Sequence, residues 1–544
     1  MARPHGGDLL VDLLREHGVT AAFGVVSVHN LPLVEALDAA AMFVPVRHEA
    51  AAVNAADAYA RVSGGLGVAV TSTGTGAGNA AGSLIEALSA GSRVLHVTGQ
   101  IDSPYLGQGR GVIHETPEQL ALLRAVSKSA TTIRTAAAAG PVLRAAAAEA
   151  LALPQGPVSV EWPIDLQYPA QIGGALAPVA PAAPPHPAAD AMDAAAALIA
   201  GARRPLLWVG GGGRGARAEL RVLAERLGAP VLTSNAGRGS IGEDHPLVIG
   251  NFGTNPQARS LVEDADLLIS VGSHFRSNET AQFTLPLPAR HVQIDVDPVA
   301  IGRSYAATVG LVGDAAPVLG GLLDRLGEPA TEDGWADRGS AVRAAVREHL
   351  RAAIGPYTAI CDALRARLPE RSVIARDVTV PSSTWGNRLL PITEPETNVF
   401  PLGGGIGQGL AMGIGAATAR PDEPTVVIAG DGGLAVHLGE IGTLAQQRPW
   451  LVLVVFNDGG YGVLRSMQEA HGGRPAGVDL FTPDFATVAA AVGIEHRLVA
   501  DADRFDEALA KALATQGPSV IEVDVTAVGP MPVPFVPPVH VPGG

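Results

Sequence analysis

Two stretches of the chain end alike. PTVVIAGDGG (424–433) and WLVLVVFNDGG (450–460) each carry an apolar, β-branched run into an acidic residue set among glycines. Runs of this kind read as buried parallel strands. An acid just past such a strand stands in the crevice beyond the carboxyl edge of the sheet, where open α/β sheets take their ligands. The glycines after Asp431 let a phosphate group approach the main chain closely, and a helix starting there offers free N–H donors. A single helix between the two strands would bring the chain back over the sheet, so that Asp431 and Asp458 converge. Two carboxylates, a turn carbonyl and phosphate oxygens form a hard, oxygen-rich site suited to Mg²⁺. Each aspartate alone reads most simply as a turn cap; the pair does not.

The elements that must position these acids fall into three α/β blocks. The first, 1–172, alternates helix and strand signals from DLLVDLLREHGV through TAAFGVV, HEAAAVNAADAYARVSG, GLGVAVTSTG and SRVLHVTGQI to GPVSVEWPID. Such alternation predicts parallel βαβ units. A Pro/Ala-rich stretch, GGALAPVAPAAPPHPAAD (173–190), reads as a linker. The second block, 190–330, repeats the pattern, and a charged helical segment (332–355) leads into the third, 356–528. That block holds RSVIARD, the glycine-dense PLGGGIGQGLAMGIGAA and both acid-tipped strands. The Pro-rich tail, 529–544, reads as an arm or lid. The predicted fold class is therefore α/β, with three doubly wound parallel-sheet domains.

Bulk composition narrows the function classes. The chain has 544 residues, 47% of them hydrophobic, and a net charge of −15. Its basic residues are scattered, which argues against nucleic acid or an acidic membrane as partner. One cysteine, Cys361, excludes an internal disulfide framework and reads as a small core residue. No signal-peptide pattern or membrane-length apolar run is seen, so a soluble cytoplasmic protein is expected.

At this point the motifs resemble those of a known family. GDGG followed by the ND of FNDGG is similar to the thiamine-diphosphate (ThDP) motif. The resemblance implies that Asp431, Asp458 and the carbonyl of Gly460 bind Mg²⁺ while Gly432 and Gly433 face the diphosphate. It makes Asn457 a support for the turn and places Tyr461 beside the cofactor. RHEAAAVNAADAYARVSG (47–64) resembles the segment in which a glutamate, here Glu49, hydrogen-bonds the aminopyrimidine and helps ionise the thiazolium carbon. The apolar run after Glu49 leads us to expect that it is buried. PLGGGIGQGLAMGIGAA resembles the segment that bends the cofactor. There Ile406 would stand between the two rings, and the carbonyl of Gly404 would accept from the exocyclic amine. The family's domains are named pyrimidine-binding, central and diphosphate-binding. They act as homodimers with shared active sites, here expected to pair into a homotetramer.

The substrate side is less constrained. SVHNLP places His29 as a benzaldehyde lyase places a histidine, and GVIHETPEQ places His114 where related enzymes keep a polar residue. Imidazoles there could relay protons or hold a substrate carboxylate or carbonyl. NDGGYGVLR is similar to the benzoylformate decarboxylase version of the motif. The central block shows SHFRSNET in place of the run found in FAD-containing synthases, so FAD is the lesser expectation. The resemblance implies an acetolactate synthase-like lyase or carboligase working on a 2-oxo acid or 2-hydroxy ketone through ylide attack and an enamine. A benzoylformate-type nonoxidative decarboxylase is the alternative. A nicotinamide-dependent oxidoreductase is disfavoured, because no GxGxxG follows an early strand with an acid downstream.

Overall fold

The structure, a computed structural model, describes residues 5–168 and 179–536. It contains three six-stranded sheets in which every strand runs parallel to its neighbours. The N-terminal sheet runs, in spatial order, through Phe43–Pro45, Ala22–Gly24, Gly67–Thr71, Val94–Gln100, Val158–Pro163 and Ser129–Thr132. The central sheet is built on Pro205–Val209 and Leu267–Val271 at its middle. The C-terminal sheet runs Asn398–Val399, Val373–Arg376, Thr425–Gly430, Leu451–Asn457, Ser519–Asp524 and Glu495–Val499. The central sheet starts at its middle, whereas the N- and C-terminal sheets start one strand in from an edge; each builds to one side, then returns to build the other. The reversal opens a crevice at the carboxyl edge, and helices cover both faces.

The predicted linker falls partly outside the described residues: 173–178 are among those not described, while 179–188 form neither helix nor strand. The charged segment forms the helix Trp335–Ile354. Of the tail, 537–544 lie outside the described residues; before them the Val533 N–H donates to the Ala353 carbonyl at 3.1 Å. Cys361 is buried, and burial pushes its thiol up to about 12, as suits a packing residue. Among the described residues no helix is long and apolar enough to cross a membrane.

One expectation needs correction. Two helices, Asp431–Val436 and Glu440–Gln447, link the acid-tipped strands, not one. The break at His437–Gly439 turns the His437 ring toward the preceding loop, where Nδ1 donates to the Gly407 carbonyl at 2.9 Å.

The N-terminal and C-terminal blocks meet along two helices, Glu49–Ser63 and Gly409–Ala419. The first is buried continuously from Ala50 to Val62, because it lies between its own sheet and the second helix. Small side chains on both make the approach feasible. A Cβ added at Gly415 would lie 2.0 Å from the Ala55 carbonyl oxygen, so only glycine fits there. Gly415→Ala should therefore destabilise the chain by roughly 1–3 kcal/mol through overpacking. The check is a lower urea midpoint with an unchanged m-value; a wild-type midpoint would mean that the helices separate at little cost.

Candidate active site

The site starts from strand register. Thr425–Gly430 and Leu451–Asn457 pair with Gly430 opposite Phe456, so the residues that follow emerge side by side at the carboxyl edge. Asp431 opens its short helix and is 1% exposed. The Asp458 N–H points toward its Oδ1 at 3.4 Å, while Oδ2 is buried with no hydrogen-bond partner. Burial raises the Asp431 carboxyl above the usual range, against backbone N–H groups that lower it. Asp458 is pushed up to about 6, first by burial and then by the charge of Asp431, with Arg465 opposing. Two desolvated carboxylates, one raising the cost of ionising its neighbour, form a place for a cation.

The backbone around them is shaped to match. Gly459 and Gly460 have φ of 78° and 147°, and the segment 478–480 fastens this turn through Tyr461 N–H to Val478 O (2.8 Å) and Leu480 N–H to Gly459 O (3.0 Å). A Cβ at Gly432 would lie 2.5 Å from the Gly460 oxygen and 2.8 Å from the Tyr461 ring. The Gly460 carbonyl, Gly432 and Tyr461 are thus in contact. Gly433 is buried behind them. Asn457 donates to Glu522 at 2.8 Å and accepts from the Gly459 N–H at 3.3 Å, so its amide is spent on the turn.

A glycine arch stands beside this edge. Gly404 and Gly407 have φ of 84° and 80°, and Ile406 between them is 39% exposed. Asp377 fixes the far end of the arch: its two oxygens accept from the N–H of Gly407 and of Gly409, each at 3.1 Å. Burial pushes its carboxyl up to about 6 against those donors. Sequence reasoning assigned Asp377 no role, although RSVIARD carries the same strand-then-acid signature as the other two.

Glu49 is half-buried rather than buried, which corrects the expectation from the apolar run behind it. As the first residue of its helix, its side chain leaves from the helix end. Oε2 accepts from Asn79 at 3.0 Å, and Oε1 lies against Gly76. Among the described residues no hydrogen bond or ion pair joins Glu49 to Asp431 or Asp458 within the chain. His48 caps the helix by accepting from the Ala50 N–H, and its ring lies 5.1 Å from that of His437.

Comparison with known proteins agrees with this geometry. Residues 4–122 match the N-terminal TPP binding domain of thiamine pyrophosphate enzymes, 192–322 their central domain and 380–523 their C-terminal TPP binding domain. The chain is a thiamine pyrophosphate enzyme. A probable 2-ketoarginine decarboxylase from Pseudomonas aeruginosa is 33% identical, over 95% of this chain and 93% of the relative. The acetolactate synthase large subunit of Parasynechococcus marenigrum is 32% identical, covering 98% and 89% respectively. Isozyme 2 of that large subunit in Escherichia coli is 29% identical over 96% and 95%.

At the N-terminal sheet of this thiamine pyrophosphate enzyme the two candidate histidines meet. His29 follows the strand Ala22–Gly24, at the point where the sheet reverses direction, and is 4% exposed. His114 comes from the loop after Val94–Gln100 and holds φ of 65°. Their Nδ1 atoms are 3.4 Å apart and the rings meet edge-on at 5.3 Å. The Glu115 carboxylate closes the His114 loop by accepting from the N–H groups of Gly109, Gly111 and Val112. Burial lowers the His29 pKa below 6.5, and the neighbouring His114 lowers it further, against Asp102.

With a folded-state pKa below the unfolded value, His29 is neutral at pH 7. Its contribution to stability is complete above pH 6.5 and is lost as the pH falls through that value toward the lowered pKa. An NMR titration should place its midpoint below the ordinary histidine range, and His114→Gln should move that midpoint up. An unmoved midpoint would mean that the rings are not coupled.

Proposed function

We propose that this chain is a ThDP- and Mg²⁺-dependent lyase or carboligase of the acetolactate synthase-like kind, cleaving a 2-oxo acid or 2-hydroxy ketone beside its carbonyl. The observation that carries the reading is Asp431: a buried carboxylate oxygen without a partner, at the head of a helix, facing a carboxylate neighbour across a bare glycine turn. A divalent cation satisfies that oxygen, and the Gly460 carbonyl that the reading gives to the metal packs directly against Gly432.

When bound, the cofactor supplies a carbon nucleophile for the substrate carbonyl and a sink for the electron pair of the bond that breaks. The chain does the rest. Asp431, Asp458 and the Gly460 carbonyl hold the metal, with the N–H groups of Gly432 and Gly433 toward the diphosphate. Asn457 keeps the turn in shape, and Tyr461 packs over Gly432. Ile406 would support the cofactor from the arch, and the Gly404 carbonyl would be its hydrogen-bond acceptor there. Glu49 holds a proton at the ring nitrogen. His29 and His114 orient the substrate carbonyl or carboxylate and move a proton at the carbon whose substituent has left.

The reading places these groups in a homodimer with shared sites, two such dimers forming a homotetramer in the cytoplasm. In support, Glu49 turns to Asn79 within its own chain, while Ile406 and Ile113 stand 39% and 67% exposed, as surfaces awaiting a second copy would. FAD stays outside the reading, on the SHFRSNET sequence of the central block.

A second reading is a benzoylformate-type decarboxylase, in which the product is protonated rather than joined to an acceptor. The contact between His29 and His114 favours it, since two imidazoles within hydrogen-bond reach can pass a proton along the pair to the product carbon. A panel of 2-oxo acids, including one with a guanidinium tail, should be turned over with and without aldehyde acceptors. Release of CO₂ together with a hydroxy ketone is expected. CO₂ with aldehyde alone selects the second reading, and no turnover with ThDP and Mg²⁺ present rejects both.

Asp431→Ala should weaken Mg²⁺-dependent ThDP binding by at least roughly a hundredfold, since even groups that only orient metal ligands cost about 10–100-fold. Wild-type ThDP affinity and Mg²⁺ dependence in that variant would remove Asp431 from the metal site.

A further inference from the structure

The near end of the glycine arch is held by side chains that have no place in the cofactor site itself. Glu86 lies on the helix Thr75–Ala90 of the N-terminal block, with its side chain 2% exposed. One carboxylate oxygen accepts from the Leu402 N–H at 2.5 Å and the other from the Gly403 N–H at 2.6 Å. Arg61, 3.5 Å from Glu86, donates to the Phe400 carbonyl at 2.7 Å and is held by Asp57 in a two-point contact of 2.7 and 2.5 Å. From the central block, Arg276 donates to the Leu402 carbonyl at 2.5 Å and to Ser89 O at 2.6 Å. Buried charges are costly unless paired and hydrogen-bonded, and here four of these bonds end on residues 400–403.

The same two helices carry the other half of the site. Glu49 is the first residue of the helix that bears Asp57 and Arg61, and Asn79, its partner, is on the helix that bears Glu86. Between Glu86 at Gly403 and Asp377 at Gly407, only Gly404, Gly405 and Ile406 are left unpinned.

We infer that Glu86 is a positioning residue: together with Arg61 it fixes the near end of the arch, and so sets where Ile406 stands relative to the cofactor rings. This rests on the proposed role of Ile406. Glu86 does not touch the cofactor; it acts through the main chain of Leu402 and Gly403. Replacing one carboxylate oxygen by an amide N–H sets donor against donor at one of these two positions and frees the arch.

Two measurements separate the clamp from the role of Ile406. In the cofactor-free protein, amide hydrogen exchange of a peptide spanning 400–409 should rise roughly tenfold or more in Glu86→Gln, as expected for losing a charge-assisted hydrogen bond. With ThDP and Mg²⁺ bound, hydrogen–deuterium exchange at the thiazolium carbon should slow in both Glu86→Gln and Ile406→Ala. If Glu86→Gln does not fold, Glu86→Asp keeps the charge beside Arg61 but withdraws the carboxylate by one methylene, and carries the same two readouts. Unchanged amide exchange at 400–409 overturns the clamp. A slowed thiazolium exchange in Ile406→Ala alone overturns the positioning role of Glu86. Faster amide exchange with normal thiazolium exchange in both variants overturns the role of Ile406, and the inference with it.

Discussion

Parallel strands send every loop of one polarity to the same edge of a sheet, and the site depends on that constraint. At the C-terminal sheet it gathers Asp377, Asp431 and Asp458 at the carboxyl ends of three adjacent strands. Carboxylates collected there lose water, which raises all three, and Asp458 is raised further by the charge of Asp431. The backbone answers with N–H groups: Val378, Gly407 and Gly409 donate to Asp377, and the Asp458 N–H points toward Asp431. Asp377 spends both oxygens in this way, whereas Asp431 keeps one oxygen unpaired. The difference separates the acids: Asp377 shapes a loop with both oxygens, and Asp431 does not.

The blocks are not independent carriers of site residues. Arg238, wholly buried, grips Glu243 at 2.6 and 2.7 Å and donates to the Gly386 and Leu390 carbonyls, fastening the central block to the C-terminal one. The Arg47 N–H donates to Glu440, and the His48 and His437 rings meet beside it. The segments that shape the cofactor site are therefore set by contacts between blocks as much as within them. Rigidity at the arch is a property of the whole chain.

Much of this was legible in the sequence, and the physical reason is periodicity. Continuous β-branched runs mark strands buried on both faces, so the acids at their tips could be placed without coordinates. Asp431, Asp458, Gly432, Gly460 and Tyr461 do come together as the spacing and the motif implied. His29 and His114, 85 positions apart, also meet, although nothing in their local pattern announces a contact. The reading failed where geometry depends on how a helix begins or breaks. Glu49 was expected to be buried because alanines follow it, but the first residue of a helix projects past the end that those alanines bury. The break at His437 has no periodic signature because a tertiary bond to Gly407 makes it. Glu86 has no local sequence signal of its contacts, because its partners lie 316 and 317 positions away.

The seam at Ala55 and Gly415 constrains how this chain can be recombined with its relatives. Two backbones that touch at a residue with no side chain leave no slack for a different helix to settle into. A chimera that takes its first 172 residues from one parent and the remainder from another inherits two half-seams shaped against different counterparts. A crossover that looks safe because it lies in a loop between sheets still separates the two helices that must fit. The productive unit of exchange is the helix Glu49–Ser63 together with Gly409–Ala419, carried as a pair across more than three hundred and forty positions of sequence.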